Sequence, residues 1–375
     1  MLTTQNITSL EEFRRLESIW DGLLARSSSN TIALTWDWLS TWWDVFGADR
    51  ELNVLVIRDE DEVIAIAPLL KRTVPRYSCL AFTRLEFMAT GEDEAEEICS
   101  EYLDFIVLPG RESEVSESIA CYLREHDEDW DEIYLQAMPG NSPNLPLIVH
   151  NAGAECLNVE PLSTDLAVYL DLPGTYSDFV GGLGTSLRRE LRKDRRIAAA
   201  KGYRFHVIEG PDRFEEGFGT LMRLHQSRWT SRGEPGVFGN ARFVAFHELL
   251  AERLLGKGRL KLFVLEVTGQ SIAALMAFIH DKKVFLYQSG FLAGSRVLSH
   301  PGSAIRDMAI EWSITQGYTE WDFMKAQPGS YKYRWSSQAR EIGAIRISRP
   351  QSKETIHWAA SRVIGGLRQI RRALT

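Results

Sequence analysis

The sequence predicts a mixed α/β (α+β) protein of two lobes, each with a mixed, mostly antiparallel sheet flanked by helices. Its 375 residues are enough for two domains that each bury their own core. β-rich runs alternate with amphipathic segments, and each half contains a hairpin and helices in a similar order. Composition shifts between residues 151 and 163. We therefore expect an N-terminal lobe over 1–160, a C-terminal lobe over 161–350 and a basic amphipathic helix over 351–375.

The elements of the first lobe are predicted from hydrophobic spacing and turn residues. A helix is expected over Leu10–Arg26, and Trp38, Trp42 and Phe46 recur at the spacing of a core helix. An acidic turn at 59–61 separates two β-rich runs, which predicts a hairpin. Further strands are expected at 85–88, 102–107 and 132–137, and helices at 114–125 and 145–151.

The second lobe contains a basic segment, SLRRELRKDRRIAAAKG, with a narrow apolar stripe at Leu187 and Leu191. Its arginines are either solvated or in contact with an anion. Turns at 268–270 and 281–283 predict two or three strands in an antiparallel run, at 260–267, 271–280 and 284–289. The other expected elements are strands at 165–170, 203–208 and 342–347, a short strand ending near Asp322, and helices at 214–229 and 242–255.

The segment Ser299-His300-Pro301-Gly302-Ser303 opens the helix around which the second lobe is organised. Ser299 is a candidate N-cap, Pro301 suits the first helical turn, and Gly302 would let the backbone approach a ligand closely. Because the first turn carries no acidic residue, its free N–H groups are suited to phosphate. The alternative is an ordinary turn from a strand to a helix, since glycine-containing helix starts are weak motifs.

Charge and composition restrict the possible partners and compartment. The net charge of −8 argues against binding to DNA, although residues 86–132 are strongly acidic and residues 186–213 and 353–372 are basic. Such runs are either solvated faces or sites for charged ligands. No apolar run reaches the length of a membrane span, and the N-terminus lacks the pattern of a signal peptide, so we expect a cytoplasmic protein.

Four cysteines are scattered without paired spacing. This predicts neither a zinc site nor a disulfide framework, and we expect buried thiols instead. Neither a cluster of metal ligands nor a Ser-His-Asp pattern is recognisable in the sequence. The chemistry we expect is therefore a direct group transfer without metal and without a covalent intermediate.

The second lobe resembles the GNAT-type acetyltransferase domain of the CelD/BcsL-like proteins, which are associated with the synthesis of cellulose and other exopolysaccharides. These proteins are similar to the Fem peptidyltransferases, which consist of two GNAT-like lobes. The resemblance covers roughly Thr164–Trp335 and is carried by the segments SLRRELRKDRRIAAAKG, LHQSRWTSRG, GVFGNARFVAFHELLAERL, LFVLEVTGQSIAALMAFIHDKKVFLYQSGF and LSHPGSAIRDMAIEWSITQGYTEWDFMKAQPGSYKYRW. The early segment TWDWLSTWWDVFG also fits the start of the family.

The resemblance implies acyl transfer from acetyl-CoA or another acyl-CoA to an amine or hydroxyl of a sugar or nucleotide-sugar. The usual GNAT pyrophosphate signature, Gln/Arg-x-x-Gly-x-Gly/Ala, is replaced here by His300-Pro301-Gly302-Ser303. Because Fem relatives use aminoacyl-tRNA, a Fem-like transfer is the second hypothesis, and the acidic balance of the chain argues against it. A third hypothesis is a non-catalytic factor of polysaccharide assembly that docks on a membrane surface or a synthesis complex through the C-terminal helix.

Site residues are predicted from the chemistry that acyl transfer requires. The candidates for proton transfer and charge stabilisation are Asp322, Lys332, His225 and Tyr331, with Lys332 implied by the Fem resemblance. His300, Gly302 and Ser303 are expected to contact the phosphates of the donor, and the strand containing Ala274 and Ala277 to supply a main-chain oxyanion donor. The candidates for contact with an anionic acceptor are Arg188, Arg192, Arg195 and Arg228.

Overall fold

The structure, a computed structural model, describes residues 2–76, 80–292, 294–295 and 297–349. The first half contains β1 (Leu2–Ile7), α1 (Leu10–Arg15), α2 (Glu17–Arg26), α3 (Trp36–Phe46), β2 (Glu51–Asp59), β3 (Glu62–Arg76), β4 (Leu80–Phe87), β5 (Ile106–Val107), α4 (Glu112–Glu125), β6 (Glu132–Pro139) and α5 (Asn144–Ala154). The predicted helix over 351–375 lies outside the described residues.

The second half continues with β7 (Asn158–Asp171), α6 (Tyr176–Gly182), α7 (Thr185–Ala200), β8 (Tyr203–Ile208), α8 (Phe214–Thr230), α9 (Ala241–Leu254), β9 (Leu260–Val267), β10 (Gln270–His280), β11 (Lys283–Phe291), α10 (Pro301–Thr315), β12 (Glu320–Ala326) and β13 (Ala339–Ser348). Most predicted elements of this half are confirmed to within a few residues. The period of the hydrophobic pattern and the turn residues depend only on neighbouring positions. They therefore predict helices and strands without knowledge of the tertiary packing.

One mixed sheet runs through the described part of the chain, in the order β1-β2-β3-β4-β6-β13-β7-β12-β11-β10-β9-β8, with β5 paired to β3. Each half contains antiparallel strands followed by a parallel pair that a helix connects. In the first half this unit is β4-α4-β6, and in the second it is β11-α10-β12. The predicted fold class is confirmed: two similar lobes share a mixed, mostly antiparallel sheet flanked by helices.

The two lobes meet at the centre of the sheet, where β13 pairs with β6 on one edge and with β7 on the other. The composition shift at 151–163 therefore overlaps the start of a central strand rather than a free linker. A first-half helix also crosses the junction, because Trp38 of α3 packs its ring 5.1 Å from Phe278 of β10 and 5.4 Å from Phe246 of α9. These contacts pack α3 of the first lobe against β10 and α9 of the second.

Some predictions of the sequence differ from the structure. The strand expected at 102–107 shrinks to β5, because Tyr102 adopts a left-handed backbone with φ of 64°. The N-terminal strand β1 was not predicted, since its alternating polar residues carry a weak signal. Cys99, Cys121 and Cys156 are exposed rather than buried, and Cys79 lies outside the described residues. Among the described helices, none combines the length and apolar character that crossing a bilayer would require.

Candidate functional site

The parallel strands β11 and β12 pair over only three positions and then part. Lys283, Val284 and Phe285 face Glu320, Trp321 and Asp322, and no further pair joins the two strands. On the other edge of β11, Leu286 pairs with Ala277 and Gln288 with Met276, so Tyr287 is the extra residue of a β-bulge. A bulge bends its strand and increases the local twist. The gap between β11 and β12 therefore opens beyond Phe285 and Asp322.

A cavity of 510 Å³ lies at this gap and takes its lining from both lobes. The second lobe contributes Tyr287 of the bulge, residues at the end of β12, and Lys332. The first lobe contributes the acidic segment between β4 and β5. The charged residues of the lining are Glu92, Glu97, Glu101, Asp165, Lys325 and Lys332.

Glu101 of the first lobe accepts hydrogen bonds from the second lobe at the gap. Its two carboxylate oxygens accept hydrogen bonds from the main-chain N–H of Lys325, at 2.8 and 3.0 Å, beyond the last β11–β12 pair. Burial raises the pKa of Glu101, and the nearby carboxylate of Asp322 raises it further, while Lys332 opposes the shift. A buried carboxyl group with a raised pKa beside a lysine is suited to accept a proton near neutral pH.

Asp322, predicted as a general base, lies buried at the last paired position of β12 and does not line the cavity. The Tyr102 hydroxyl donates a 2.7 Å hydrogen bond to its Oδ2, and the N–H of Met324 donates to its Oδ1 at 2.6 Å. Burial raises the pKa of Asp322 to about 6, and the Tyr102 hydrogen bond and Arg340 oppose that shift. We interpret Asp322 as a buried group that positions Tyr102, the neighbour of Glu101.

We expect Tyr102→Phe to destabilise the protein by about 1–2 kcal/mol at pH 8, because a buried acceptor loses its partner. The folded pKa of Asp322 lies above its ordinary value of 3.8, so stability is lost as the pH rises through about 6. Without the Tyr102 hydroxyl this loss grows, and the variant should be closer to the wild type at pH 5. Urea unfolding at both pH values measures the difference; an equal deficit at pH 5 and pH 8 would contradict the assignment.

Lys332 and Tyr331 are adjacent in sequence but face different surroundings. Lys332 Nζ donates to the carbonyl oxygen of Met324 at 3.3 Å and to that of Lys325, so its ammonium group lies at the gap. Burial lowers the pKa of Lys332, against the influence of Glu101 and Asp322. The Tyr331 ring is exposed and lies 4.1 Å from the guanidinium carbon of Arg306, outside the gap cavity.

His225 lines a second, neighbouring cavity of 730 Å³ rather than the gap cavity. It lies in α8, which packs directly on β11, and Gln288 of β11 lines the same cavity. Burial lowers the pKa of His225 to about 4, so the imidazole is neutral at physiological pH. The structure therefore separates His225 from Lys332, which the sequence had grouped as partners in catalysis.

The start of α10 differs from the predicted phosphate site in three respects. His300, not Ser299, is the N-cap residue, and no side chain caps the helix. His300 Nδ1 lies 3.5 Å from Asp194 and 3.7 Å from Glu190 of α7. Two carboxylates that the local sequence does not reveal therefore lie beside this turn.

Gly302 is explained by its neighbour Phe291 at the end of β11. A Cβ at position 302 would lie 3.0 Å from the Phe291 ring. The glycine therefore accommodates a side chain of this protein, and its contact with the donor phosphates stays a prediction. The oxyanion prediction is corrected, because Ala274 and Ala277 are buried in β10 and paired with both β9 and β11.

Two arginines give the other side of the α10 start a positive charge. Arg306 is buried, donates from Nη1 to the Gly302 carbonyl oxygen at 2.9 Å, and has no partner for its Nε. Arg228 lies 4.4 Å from the Phe291 ring centroid, and its Nε is also without a partner. Within the described ranges, no carboxylate forms an ion pair with either guanidinium. Two arginines without an ion-pair partner are suited to an anionic ligand.

The other predicted arginines are not brought to a ligand cavity described above. Arg195 pairs with Asp307 and Glu311 of α10, which corrects its expected role in acceptor binding. Arg188 donates to the Leu183 carbonyl oxygen at 2.9 Å, and Arg192 is exposed on α7. Sequence reasoning missed Glu101 and Tyr287. The acidic run at 86–132 was a signal for Glu101, but nothing in it distinguishes one carboxylate from the others.

Comparison with known proteins assigns a domain to part of the chain. Residues 185–334 match the family model described as Acetyltransferase (GNAT) domain. The second half of the chain carries a GNAT-type acyltransferase domain. The start of α10, the gap between β11 and β12, and Lys332 all lie within it. Glu101 lies outside it, so the first lobe adds a carboxylate to the gap cavity of this domain.

Solved structures resemble the whole described fold. The chain is similar to FemX at 11% identity and a TM-score of 0.61, covering 91% of this chain and 96% of that one. It is similar to L-PGS from Bacillus licheniformis at 13% identity and a TM-score of 0.52, covering 93% and 96%. A tandem GNAT protein from the clavulanic acid biosynthesis pathway matches at 11% identity and a TM-score of 0.48, covering 94% and 100%. A search of curated proteins finds no match. At these identities the first two likenesses show a shared fold.

Proposed function

We propose that this protein is a GNAT-type acyltransferase that moves an acyl group, acetyl in the simplest case, from acyl-CoA to an amine or hydroxyl by direct transfer. The observation that carries the proposal is the gap between β11 and β12, which opens inside the GNAT-type domain onto a cavity lined by Glu101 and Lys332. A gap of this kind admits an extended thioester arm alongside unpaired strand edges. The bulge at Tyr287 leaves main-chain groups of β11 free at that point.

The donor fits the charges at the start of α10. Arg228 and Arg306 have unpaired guanidinium nitrogens beside the first turn, which suits the pyrophosphate of a CoA thioester. The carboxylates of Asp194 and Glu190 lie beside His300, so we assign the phosphate to the arginine side of the turn. Phe291 packs against Gly302 between these two sides, and its ring would have to accommodate the donor.

The reaction balances without a further co-reactant. An ammonium acceptor loses a proton to Glu101, and its nitrogen lone pair attacks the thioester carbonyl carbon. The C–S bond then breaks, and CoA leaves as a thiolate that takes up the second proton of the nitrogen. Lys332 lies where it can stabilise negative charge on the intermediate, and Glu101 returns its proton to solvent. The overall products are an amide, free CoA thiol and one proton.

We further propose a sugar acceptor and a role in exopolysaccharide or cellulose synthesis, both of which rest on the resemblance to CelD/BcsL-like proteins. A cytoplasmic location is a separate proposal, made from the sequence. The alternative is a Fem-like transfer from aminoacyl-tRNA, which the fold similarity to FemX favours. The net charge of −8 disfavours it, because tRNA requires an extended basic surface. Thermal-shift measurements with acetyl-CoA and with aminoacyl-tRNA separate the two donors.

We expect acetyl-CoA to raise the melting temperature of the wild type, and Arg228→Gln to weaken acetyl-CoA binding about tenfold, since a charge-assisted contact is worth about 1.5–3 kcal/mol. Arg223→Gln is the matched control, because Arg223 is exposed on the same helix. Isothermal titration of both variants with acetyl-CoA measures the difference. Equal affinities for the two variants would remove Arg228 from the donor site, and no response of the wild type to any acyl-CoA would overturn the proposed donor.

A further inference from the structure

The cavity that contains His225 differs in charge from the acceptor site expected from the sequence. Its titratable residues are His225, Glu94 and Glu234, and no lysine or arginine is part of the lining. Glu94 and Glu234 are exposed at its edge. Arg228, one turn further along α8, lies over Phe291 and does not line this cavity. Because His225 is neutral, the cavity presents negative charge.

The hydrogen bonds around His225 determine which of its nitrogens faces a ligand. Gln226 Nε2 donates to the Pro235 carbonyl oxygen at 2.9 Å, which assigns the Gln226 side-chain oxygen to the His225 side. That oxygen lies 3.3 Å from His225 Nδ1, so Nδ1 carries the proton. His225 Nε2 is then an acceptor. His225 is 4% exposed, and within the described chain Nε2 has no hydrogen-bond partner.

His225 Nε2 is not among the buried atoms that lack a partner, so it is accessible from the cavity that Glu94 and Glu234 also line. An acceptor in a cavity with two carboxylates favours a ligand that brings N–H donors and positive charge. In the gap cavity, both lysines of the lining already have partners. Lys325 Nζ is paired with Asp165 at 2.5 Å, and Lys332 is held by two carbonyl oxygens near Glu101. Glu92 and Glu97 remain as further carboxyl groups of that lining. The two cavities are lined by residues close to one another in the sequence, since Tyr287 and Glu92 line one and Gln288 and Glu94 line the other.

We propose that the acceptor is an amine that carries a second positive charge: the reacting nitrogen lies at the gap beside Glu101, and a second ammonium group binds among His225 Nε2, Glu94 and Glu234. This rests on the proposed acyl transfer and narrows its acceptor to dicationic amines. Linear diamines, basic side chains and oligomers of amino sugars share this chemistry. An anionic nucleotide-sugar, which the arginines of α7 had suggested, lacks it.

The test compares acceptors of matched size with acetyl-CoA as donor. Diamines of three to eight carbons, a glucosamine dimer, the corresponding monoamines and UDP-glucosamine are assayed for release of free CoA thiol. We expect kcat/KM for the best dicationic acceptor to exceed that of its monoamine about tenfold, and UDP-glucosamine to be the poorest substrate. The diamine and glucosamine arms identify which source of dication is preferred. Equal rates for diamines and monoamines, or a preference for UDP-glucosamine, would overturn the proposal.

Variants test the second ammonium site directly. In Glu94→Gln/Glu234→Gln, the preference for the diamine over the monoamine should fall to near unity. The matched control is Glu248→Gln/Glu252→Gln, which removes the same charge from exposed positions of α9 and should keep the preference. Titration calorimetry of the diamine into the protein without donor gives a second measurement, with affinity falling as salt rises. If acetyl-CoA binds but the diamine does not, the dicationic acceptor is contradicted and the proposed acyl transfer is not. If acetyl-CoA does not bind, the proposed function itself is contradicted.

Discussion

Glu101→Gln is expected to lower kcat by about 100- to 1000-fold, the usual range for loss of general base catalysis, with the KM for acetyl-CoA within about twofold. The amide keeps an oxygen for the Lys325 N–H but cannot accept the proton of the attacking nitrogen. Steady-state rates with a saturating amine measure the effect. Glu117→Gln, at an exposed position of α4, is the control for lost charge and should retain full activity.

The dependence on pH separates catalysis by Glu101 from a structural role. In the wild type, kcat should rise with pH as Glu101 loses its proton, through a pKa raised by burial above its ordinary value of 4.5. Glu101→Gln should lose this rising limb. An unchanged pH profile in the variant would assign the proton transfer to another group.

The same substitution should stabilise the protein at alkaline pH. Because the folded pKa of Glu101 is raised, the stability that the neutral carboxyl group provides is complete below the ordinary pKa and is lost as the pH rises through the folded pKa. Glutamine cannot ionise, so Glu101→Gln should be more stable than the wild type at pH 9 and close to it at pH 4. Urea unfolding at the two pH values shows whether the difference has this sign.

Gly290→Val is expected to destabilise the protein by about 3 kcal/mol, at the upper end of the range for overpacked cores. A Cβ at this position of β11 would lie 2.6 Å from the His225 nitrogen and 2.9 Å from the Leu221 carbonyl oxygen, both in the backbone of α8. Backbone atoms of a packed helix cannot move aside as a flexible side chain can. The helix would be displaced from β11, and His225 and the cavity around it would move with it.

Gly219→Ala is the matched control on the same helix. A Cβ at position 219 meets no atom within 4 Å, and alanine favours the helix, so we expect a gain of about 0.5–1 kcal/mol. Urea unfolding of both variants measures the two effects. A cost below about 1 kcal/mol for Gly290→Val would show that α8 does not pack on β11 as closely as described.

Local patterns were sufficient for much of the fold. The strands β8 and β9 were predicted with their observed limits, and α8 was one residue longer than expected, because spacing and turn residues act over a few positions. Where a long-range contact controls the backbone, prediction failed. Tyr102 was assigned to a strand, but its hydroxyl reaches Asp322 in the other lobe from a left-handed backbone.

The sequence by itself determined the fold class and the GNAT-like character of the second lobe. Only the tertiary structure decided which carboxylate lies at the strand gap, that Asp194 and Glu190 flank the start of α10, and that Arg195 is engaged by Asp307. The physical reason is the range of the interactions. Periodicity and turn chemistry are properties of neighbouring residues, whereas the charge of a cavity is the sum of side chains brought together from distant parts of the chain.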